Sequence, residues 1–143
     1  MTITYRTTPD GVTADMLTGF FVGWPNPPSA ETHLRILKHS DVIVLAVDDD
    51  AGRVVGFITA ITDHVTSAYI PHLEVLPDWQ GRAIGSELVR RMIDRLDGLY
   101  MIDLLCDSDV QPFYDRLGFR RATGMAIRNY ERQSGATSPV ILA

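Results

Sequence analysis

The segment best suited to chemistry is Gln80-Gly81-Arg82-Ala83-Ile84-Gly85-Ser86. It follows an apolar stretch closed by Pro77 and precedes a helical pattern. A turn entering a helix leaves several backbone N–H groups without an intrahelical partner. The helix dipole adds partial positive charge at that end. Phosphate oxygens are the natural ligand of such a turn. The small residues Gly81, Ala83 and Gly85 let a ligand approach the backbone closely, while Arg82 offers a charge and Ser86 a hydroxyl. The same residues also suit a plain strand-to-helix turn with close packing, so by themselves they leave both open. Other chemistries are disfavoured. There is no G-x-x-x-x-G-K-[ST] and no G-x-S-x-G. The glycine spacing does not fit G-x-G-x-x-G. His33, His39, His64 and His72 lack the H-x-x-x-H spacing of a metal site, and Asp48-Asp49-Asp50 suits a solvated turn better than a calcium loop. No metal is expected.

These residues need elements to hold them. Ile3–Thr7 alternates like a first strand, and Thr13 is placed to cap a helix over about 14–22. The prolines of Trp24-Pro25-Asn26-Pro27-Pro28 exclude helix there. A second helix opens at Ser29 or Ala30 and runs to about His39. The β-branched run Val42–Val47, the turn Asp48–Gly52 and the return Arg53–Thr62 predict a hairpin, and Thr66–Leu76 continues the meander. Ile84, Leu88, Val89, Met92, Ile93 and Leu96 then recur at helical spacing until Asp97-Gly98. Tyr100–Cys106 reads as a strand parallel to Thr66–Leu76, joined by a right-handed crossover. A short helix follows at about Val110–Leu117, capped by Ser108 or Asp109, then two short strands at Arg120–Arg121 and Met125–Tyr130. The expected fold is one mixed α/β domain over 1–133. Its central twisted sheet would have six or seven strands, with helices on both faces. Residues 134–143 form a tail whose Val140-Ile141-Leu142 suits docking on the body or at a homodimer interface.

Bulk composition narrows the partners. A chain of 143 residues is long enough for one hydrophobic core, and its 45% apolar and 22% charged content is ordinary for a globular domain. The formal net charge of −5 argues against nonspecific nucleic-acid binding. The lone Cys106 forms no internal disulfide and fits a small buried side chain. No run of roughly 18 apolar residues suggests a membrane span, and the first residues lack a signal-peptide pattern, so a cytoplasmic location is expected.

The stretch Leu73-Glu74-Val75-Leu76-Pro77-Asp78-Trp79-Gln80-Gly81-Arg82-Ala83-Ile84-Gly85 resembles the acetyl-CoA motif of the GNAT superfamily of N-acetyltransferases. That motif is an apolar strand, a proline, then [QR]-x-x-[GA]-x-[GA] opening a helix. Phe113-Tyr114-Asp115-Arg116-Leu117-Gly118-Phe119 is similar to the family's later motif, in the same order and at a similar separation. With the meander before them and the strand between them, the resemblance covers roughly residues 1–130. The resemblance implies a soluble enzyme that transfers acetyl from acetyl-CoA to a small-molecule or peptide amine, directly and in a ternary complex. The same fold would also suit a sensor of acyl-CoA without turnover, or a transferase for another acyl group.

The resemblance also implies roles. Backbone N–H groups of Gln80, Gly81, Arg82, Ala83, Ile84 and Gly85, with Ser86, would hold the pyrophosphate. Leu73, Val75 and Leu76 would pair with the pantetheine arm where the two parallel strands splay. The amide of Val75 or Leu76 would polarise the acetyl carbonyl. Tyr114 would protonate the leaving thiolate, with Phe113 beside the cofactor. Asp107 stands where the family often has Asn, and an ionised carboxylate only accepts hydrogen bonds. Trp24, in the loop that borders the acceptor pocket in the family, would line the substrate site. The acceptor must lose a proton before attack. Glu74 and His72 share a strand face by their spacing, so either could take it, directly or through water. Glu74 is the first candidate for base, and His72 also faces the substrate.

Overall fold

A computed structural model of the protein describes residues 2–136, so Val140-Ile141-Leu142 lies outside the described residues. Five strands form one sheet in chain order: β1 (Ile3–Arg6), β2 (Val42–Asp48), β3 (Arg53–Thr62), β4 (Ser67–Val75) and β5 (Met101–Asp103). The first four pair antiparallel, and β4 and β5 pair parallel. The helices are α1 (Ala30–His39), α2 (Ile84–Arg95) and the short α3 (Gln111–Asp115). Leu88, Val89 and Met92 of α2 pack on one face of the sheet against Val44, Ile58 and Ile70. On the other face Leu37 of α1, with Leu17 and Phe21, covers Ile43, Leu45 and Phe57. Both faces of β2 and β3 are therefore buried, which explains their nearly unbroken apolar runs.

The mixed α/β sheet with helices on both faces is the architecture expected, with five strands among the described residues where six or seven were expected in all. The helix anticipated over 14–22 shortens to a 3-10 turn, Ala14–Leu17. Left-handed backbone at Gly19 (φ 92°) and Phe21 (φ 61°) prevents its continuation, and the Thr13 side chain makes no capping bond. Ser29 does cap α1, accepting from the Thr32 N–H at 3.1 Å. Ser108 and Asp109 do not cap α3, whose N-cap is Val110 in right-handed helical conformation. The strands expected at Arg120–Arg121 and Met125–Tyr130 do not form. Residues 121–130 are all exposed, and Tyr130–Arg132 is a 3-10 turn.

β4 carries the decisive irregularity. Thr59 opposes His72 and Ile61 opposes Tyr69, so Ala60 faces two residues, Ile70 and Pro71. That is a β-bulge, where proline is tolerated inside a sheet because a ladder bond is already broken. The extra residue inverts the alternation. Ala68 and Ile70 face α2, as do Leu73 and Val75 beyond the bulge. His72 and Glu74 consequently turn to the opposite face, the one Phe57 shares with Phe21. Pairing with β5 ends at the same place: Ser67, Ala68 and Tyr69 match Met101, Ile102 and Asp103, and no later position of β4 does. The expected strand Tyr100–Cys106 shrinks to three residues for this reason. A bulge bends and twists its strand, so the two parallel strands part.

α2 approaches the sheet most closely at Gly56. A Cβ there would sit 3.1 Å from Leu88 Cδ1, 3.3 Å from Ile84 Cγ2 and 3.4 Å from the Glu74 carbonyl oxygen. We predict that Gly56→Val overpacks this contact and lowers stability by about 1–3 kcal/mol, measured as a lower urea midpoint with unchanged slope.

Candidate active site

The end of β4 flows into a 3-10 turn, Pro77–Trp79, and then into α2. Gly81 (φ 78°) and Ala83 (φ 63°) are left-handed, which folds the backbone into a tight concave turn. The conformation costs Gly81 little and Ala83 more. The first described bond of α2 runs from the Glu87 N–H to the Ala83 carbonyl at 3.1 Å. The amides of Ile84, Gly85 and Ser86 precede it and are the unpaired donors of a helix start. They line a cavity of about 590 Å³ with Gly81, Trp79 and Val75. Asp109, Val110 and Phe113 close it from the far side of the splay. Gln80 has a different task from the one expected. Its side-chain amide nitrogen, Nε2, donates to the Val75 carbonyl at 3.0 Å, and its backbone N–H donates to the Pro77 carbonyl at 3.3 Å. Gln80 thus ties the turn to the strand instead of offering its amide to an anion. The Arg82 guanidinium lies over the Trp79 ring, 4.8 Å from its centroid.

The open edge of β4 has defined donors. The Leu76 N–H is bonded to the Val55 carbonyl at 2.9 Å, so it faces β3 and is not available to polarise a carbonyl. Successive amides of a strand face opposite edges, which directs those of Val75 and Leu73 toward the gap.

A second cavity, about 410 Å³, lies beside the first. Phe21, Trp24, Phe57 and His72 contribute aromatic walls, and Glu74 stands at its edge. Phe21 and Trp24 are in ring contact at 4.8 Å, and His72 lies 5.9 and 6.1 Å from them. Glu74 organises this wall. Its carboxylate accepts from the Phe21 N–H at 2.8 Å and the Val22 N–H at 3.3 Å, holding Phe21 in its left-handed conformation. Burial raises the Glu74 pKa, and those two bonds partly oppose the rise. Burial lowers the His72 pKa, so this imidazole favours its neutral form. The two cavities share Leu73, Glu74 and Gln80.

Sequence reasoning missed two participants. Pro71 sets the faces of His72 and Glu74, and a proline inside a strand pattern was the available signal. His33 of α1 is 1% exposed and packs on Phe57 at 4.3 Å, with Phe20 and Phe21 edge-on. Neither of its ring nitrogens has a hydrogen-bond partner. Burial, then the neighbouring His72, push its pKa down to about 4. No spacing in the sequence announced this.

The later motif lies apart from the first cavity. Phe113 reaches it, against Gly85, but Tyr114 lines a separate groove of about 400 Å³ with Ile102, Cys106 and Phe119. Burial, and to a lesser degree Cys106, push the Tyr114 phenol up to about 12, so it stays protonated at neutral pH. Asp107 lies exposed between β5 and α3 and lines none of these three cavities.

Comparison with known proteins agrees with this layout. The model of the acetyltransferase (GNAT) family matches residues 10–119. A crystal structure from Deinococcus radiodurans R1, described provisionally as an acetyltransferase, is 50% identical with a TM-score of 0.92, covering 95% of this chain and 94% of that one. The uncharacterized N-acetyltransferase ycf52 of Porphyra purpurea is 33% identical over 102 residues, 68% of this chain and 58% of its own. Serotonin N-acetyltransferase 2 of Oryza sativa subsp. japonica, a chloroplastic protein, is 33% identical over 125 residues, 82% of this chain and 62% of its own. The chain thus spans about 58% of the algal relative's length.

His33 gives the site a pH signature. A histidine whose folded pKa falls from 6.5 to about 4 is neutral in the fold and charges more readily when unfolded. Its contribution is complete above pH 6.5 and is lost as pH falls toward 4, on the order of 3 kcal/mol in total. We predict that His33→Phe flattens the stability–pH curve in that window by about 1.4 kcal/mol per pH unit, read from urea unfolding at stepped pH. An unchanged slope would show that His33 titrates normally.

Proposed function

The chain belongs to the acetyltransferase (GNAT) family, and from that premise we propose that it moves an acetyl group from acetyl-CoA to an amine by direct transfer. The observation that carries this reading is the meeting of two cavities at one strand, through Leu73, Glu74 and Gln80. One cavity has the donors of a helix start, and the other has aromatic walls and a carboxylate. A donor and an acceptor held on either side of Glu74 would react without diffusing, in a ternary complex.

The residues fit the acyl donor. Backbone amides from Gly81 to Ser86 suit its pyrophosphate, and the open edge of β4 at Leu73 and Val75 suits amide pairing with the pantetheine arm. Acetyl-CoA supplies an activated acetyl thioester. The Val75 N–H, facing the gap, is the donor for charge developing on the acetyl oxygen. Glu74 takes the proton from the acceptor ammonium, aided by the raised pKa that burial gives it. Tyr114, protonated throughout the neutral range, is in ring contact with Phe113, which reaches the donor cavity, and from that side is the proton source for the thiolate. Phe21, Trp24 and His72 favour a compact amine with an aromatic or apolar body over a polycation. The rice relative's name, which specifies serotonin, is in keeping with that choice. The single cysteine, with no disulfide to maintain, suits the cytoplasm as the place of action.

Acceptor-dependent thiol release from acetyl-CoA tests the proposal, using 2-phenylethylamine, spermidine, glucosamine and a peptide amine. Release with the aromatic amine is the expected result. Binding of CoA without release by any acceptor would mean a sensor, and faster release from a longer acyl-CoA would mean another acyl group. Two variants locate the proton transfers. Glu74→Gln is expected to lose about 100-fold in kcat at neutral pH and to abolish the rise of rate with pH that deprotonation of Glu74 produces. A variant that keeps this rise would remove Glu74 from the role of base. Tyr114→Phe is expected to lose about 100-fold in kcat while KM for acetyl-CoA is retained. Wild-type turnover would place the proton donor elsewhere.

A further inference from the structure

The cavity walled by Phe21, Trp24 and His72 is one-sided in charge. Glu74 stands at its edge, and among the described residues no Lys or Arg lines either this cavity or the larger one beside it. Asp109 adds a carboxylate to the lining of the larger one. Residues 137–143, outside the described ones, contain no Lys, Arg or His and bring no basic side chain to the site. Arg53 of β3 is engaged elsewhere, its Nη2 donating to the Thr18 carbonyl at 2.8 Å. The other polar side chains of the wall are Trp24, Gln80 and His72. The first two carry no charge, and burial lowers the His72 pKa, which keeps its imidazole neutral.

Backbone amides can hold an anion without a cation, but those of this wall are engaged. The Phe21 and Val22 N–H groups donate to the Glu74 carboxylate at 2.8 and 3.3 Å. The Trp24 N–H donates to the Phe21 carbonyl at 3.2 Å. Pro71 has no N–H. The N–H groups of His72 and Glu74 lie on the same edge of β4 as that of Leu76, which is bonded to Val55 of β3. Gln80 directs Nε2 at the Val75 carbonyl, 3.0 Å away. The loop thus already holds one carboxylate, that of Glu74, and its donors are spent on it.

We propose that the acceptor is an amine with no acidic group beside its nitrogen, and that Glu74, with the loop amides it occupies, excludes α-amino acids from the cavity. The inference deepens the acetyl-transfer reading and rests on it. Aromatic rings and a carboxylate favour an ammonium group. An α-amino acid carries its carboxylate on the carbon that bears the amine. An ammonium placed at Glu74 therefore brings two carboxylates together in a half-buried site, where like charges repel more strongly than in water. The incoming carboxylate would leave its hydration shell and meet neither a cation nor a free loop amide. A neutral carbonyl at the same place meets no such repulsion. Charge, more than size, is the basis of the selection.

Thiol release from acetyl-CoA by the full chain tests this with 2-phenylethylamine, phenylalanine and phenylalaninamide, kcat/KM being referred to the free amine. The first and third are expected to react, and phenylalanine to fall below 2-phenylethylamine by at least about 100-fold. Loss of the base in Glu74→Gln slows all acceptors alike, so the ratio between two of them reads the repulsion. That ratio is expected to narrow by at least about tenfold. Equal use of phenylalanine, rejection of phenylalaninamide along with it, or an unchanged ratio in Glu74→Gln would each overturn the proposal and leave acetyl transfer standing. Binding gives a readout without turnover. With CoA present, 2-phenylethylamine is expected to raise the Tm, and 3-phenylpropionate, the same body with a carboxylate in place of the ammonium, to leave it unchanged. Equal shifts, or none with the amine, would overturn the proposal whether or not acetyl is transferred. Discrimination in binding without release by any acceptor would support it and fault the acetyl-transfer reading alone.

Discussion

The parting of β4 from β5 is the constraint on which the rest depends. The two strands share only three paired positions before the bulge at Ile70–Pro71 bends β4 away. Leu73 and Val75 are only partly buried, so their gap-facing amides stay open to water or to a ligand. Here the gap holds the free edge of β4 next to a helix start, and both have donors to offer. Had the ladder continued to Val75, the amides facing the gap would be engaged and no cavity would exist between the strands. The absent ladder is compensated elsewhere: β3 stays paired to β4 on the other side, and Gln80 takes the Val75 carbonyl.

Glu74 connects that gap to the aromatic wall. A half-buried carboxylate is tolerated because two backbone N–H groups donate to it. The same bonds hold Phe21 left-handed, a conformation that a bulky side chain avoids without support. The aromatic wall of the second cavity is thus held in place by the carboxylate proposed above as the base. His33 shows the cost of such a site. Its unpartnered nitrogens, buried among rings, reduce stability where an apolar residue would not. Stability sacrificed under a cavity is the pattern of functional regions.

α2 serves both layers. Its apolar side seals one face of the sheet, and its first turn lines the larger cavity. Gly56 allows the helix to lie close enough for Ile84 and Leu88 to pack on β3. Because Ile84 belongs to both the core and the cavity wall, the position of the turn is fixed by core packing. Preorganised donors of this kind need no rearrangement to meet a ligand.

Local patterns in the sequence determined a good deal. The β-branched runs, the Asp48–Gly52 turn, the Ser29 cap and the helical spacing from Ile84 to Leu96 each depend on neighbours a few residues away, and each appears in the fold where its pattern predicts. The turn at Gly81–Ser86 was legible for the same reason, since a helix start is a local property. The tertiary structure decided what depends on distant contacts. Only the register against Ala60 reveals the bulge, and only the bulge turns His72 and Glu74 toward Phe21. Only the Val55 carbonyl shows that the Leu76 amide is engaged. The β propensity of 120–130 found no adjacent strand among the described residues, so the expected strands stayed a strap. Strand formation needs a partner that the segment itself does not encode, whereas a helix completes its backbone bonds from within.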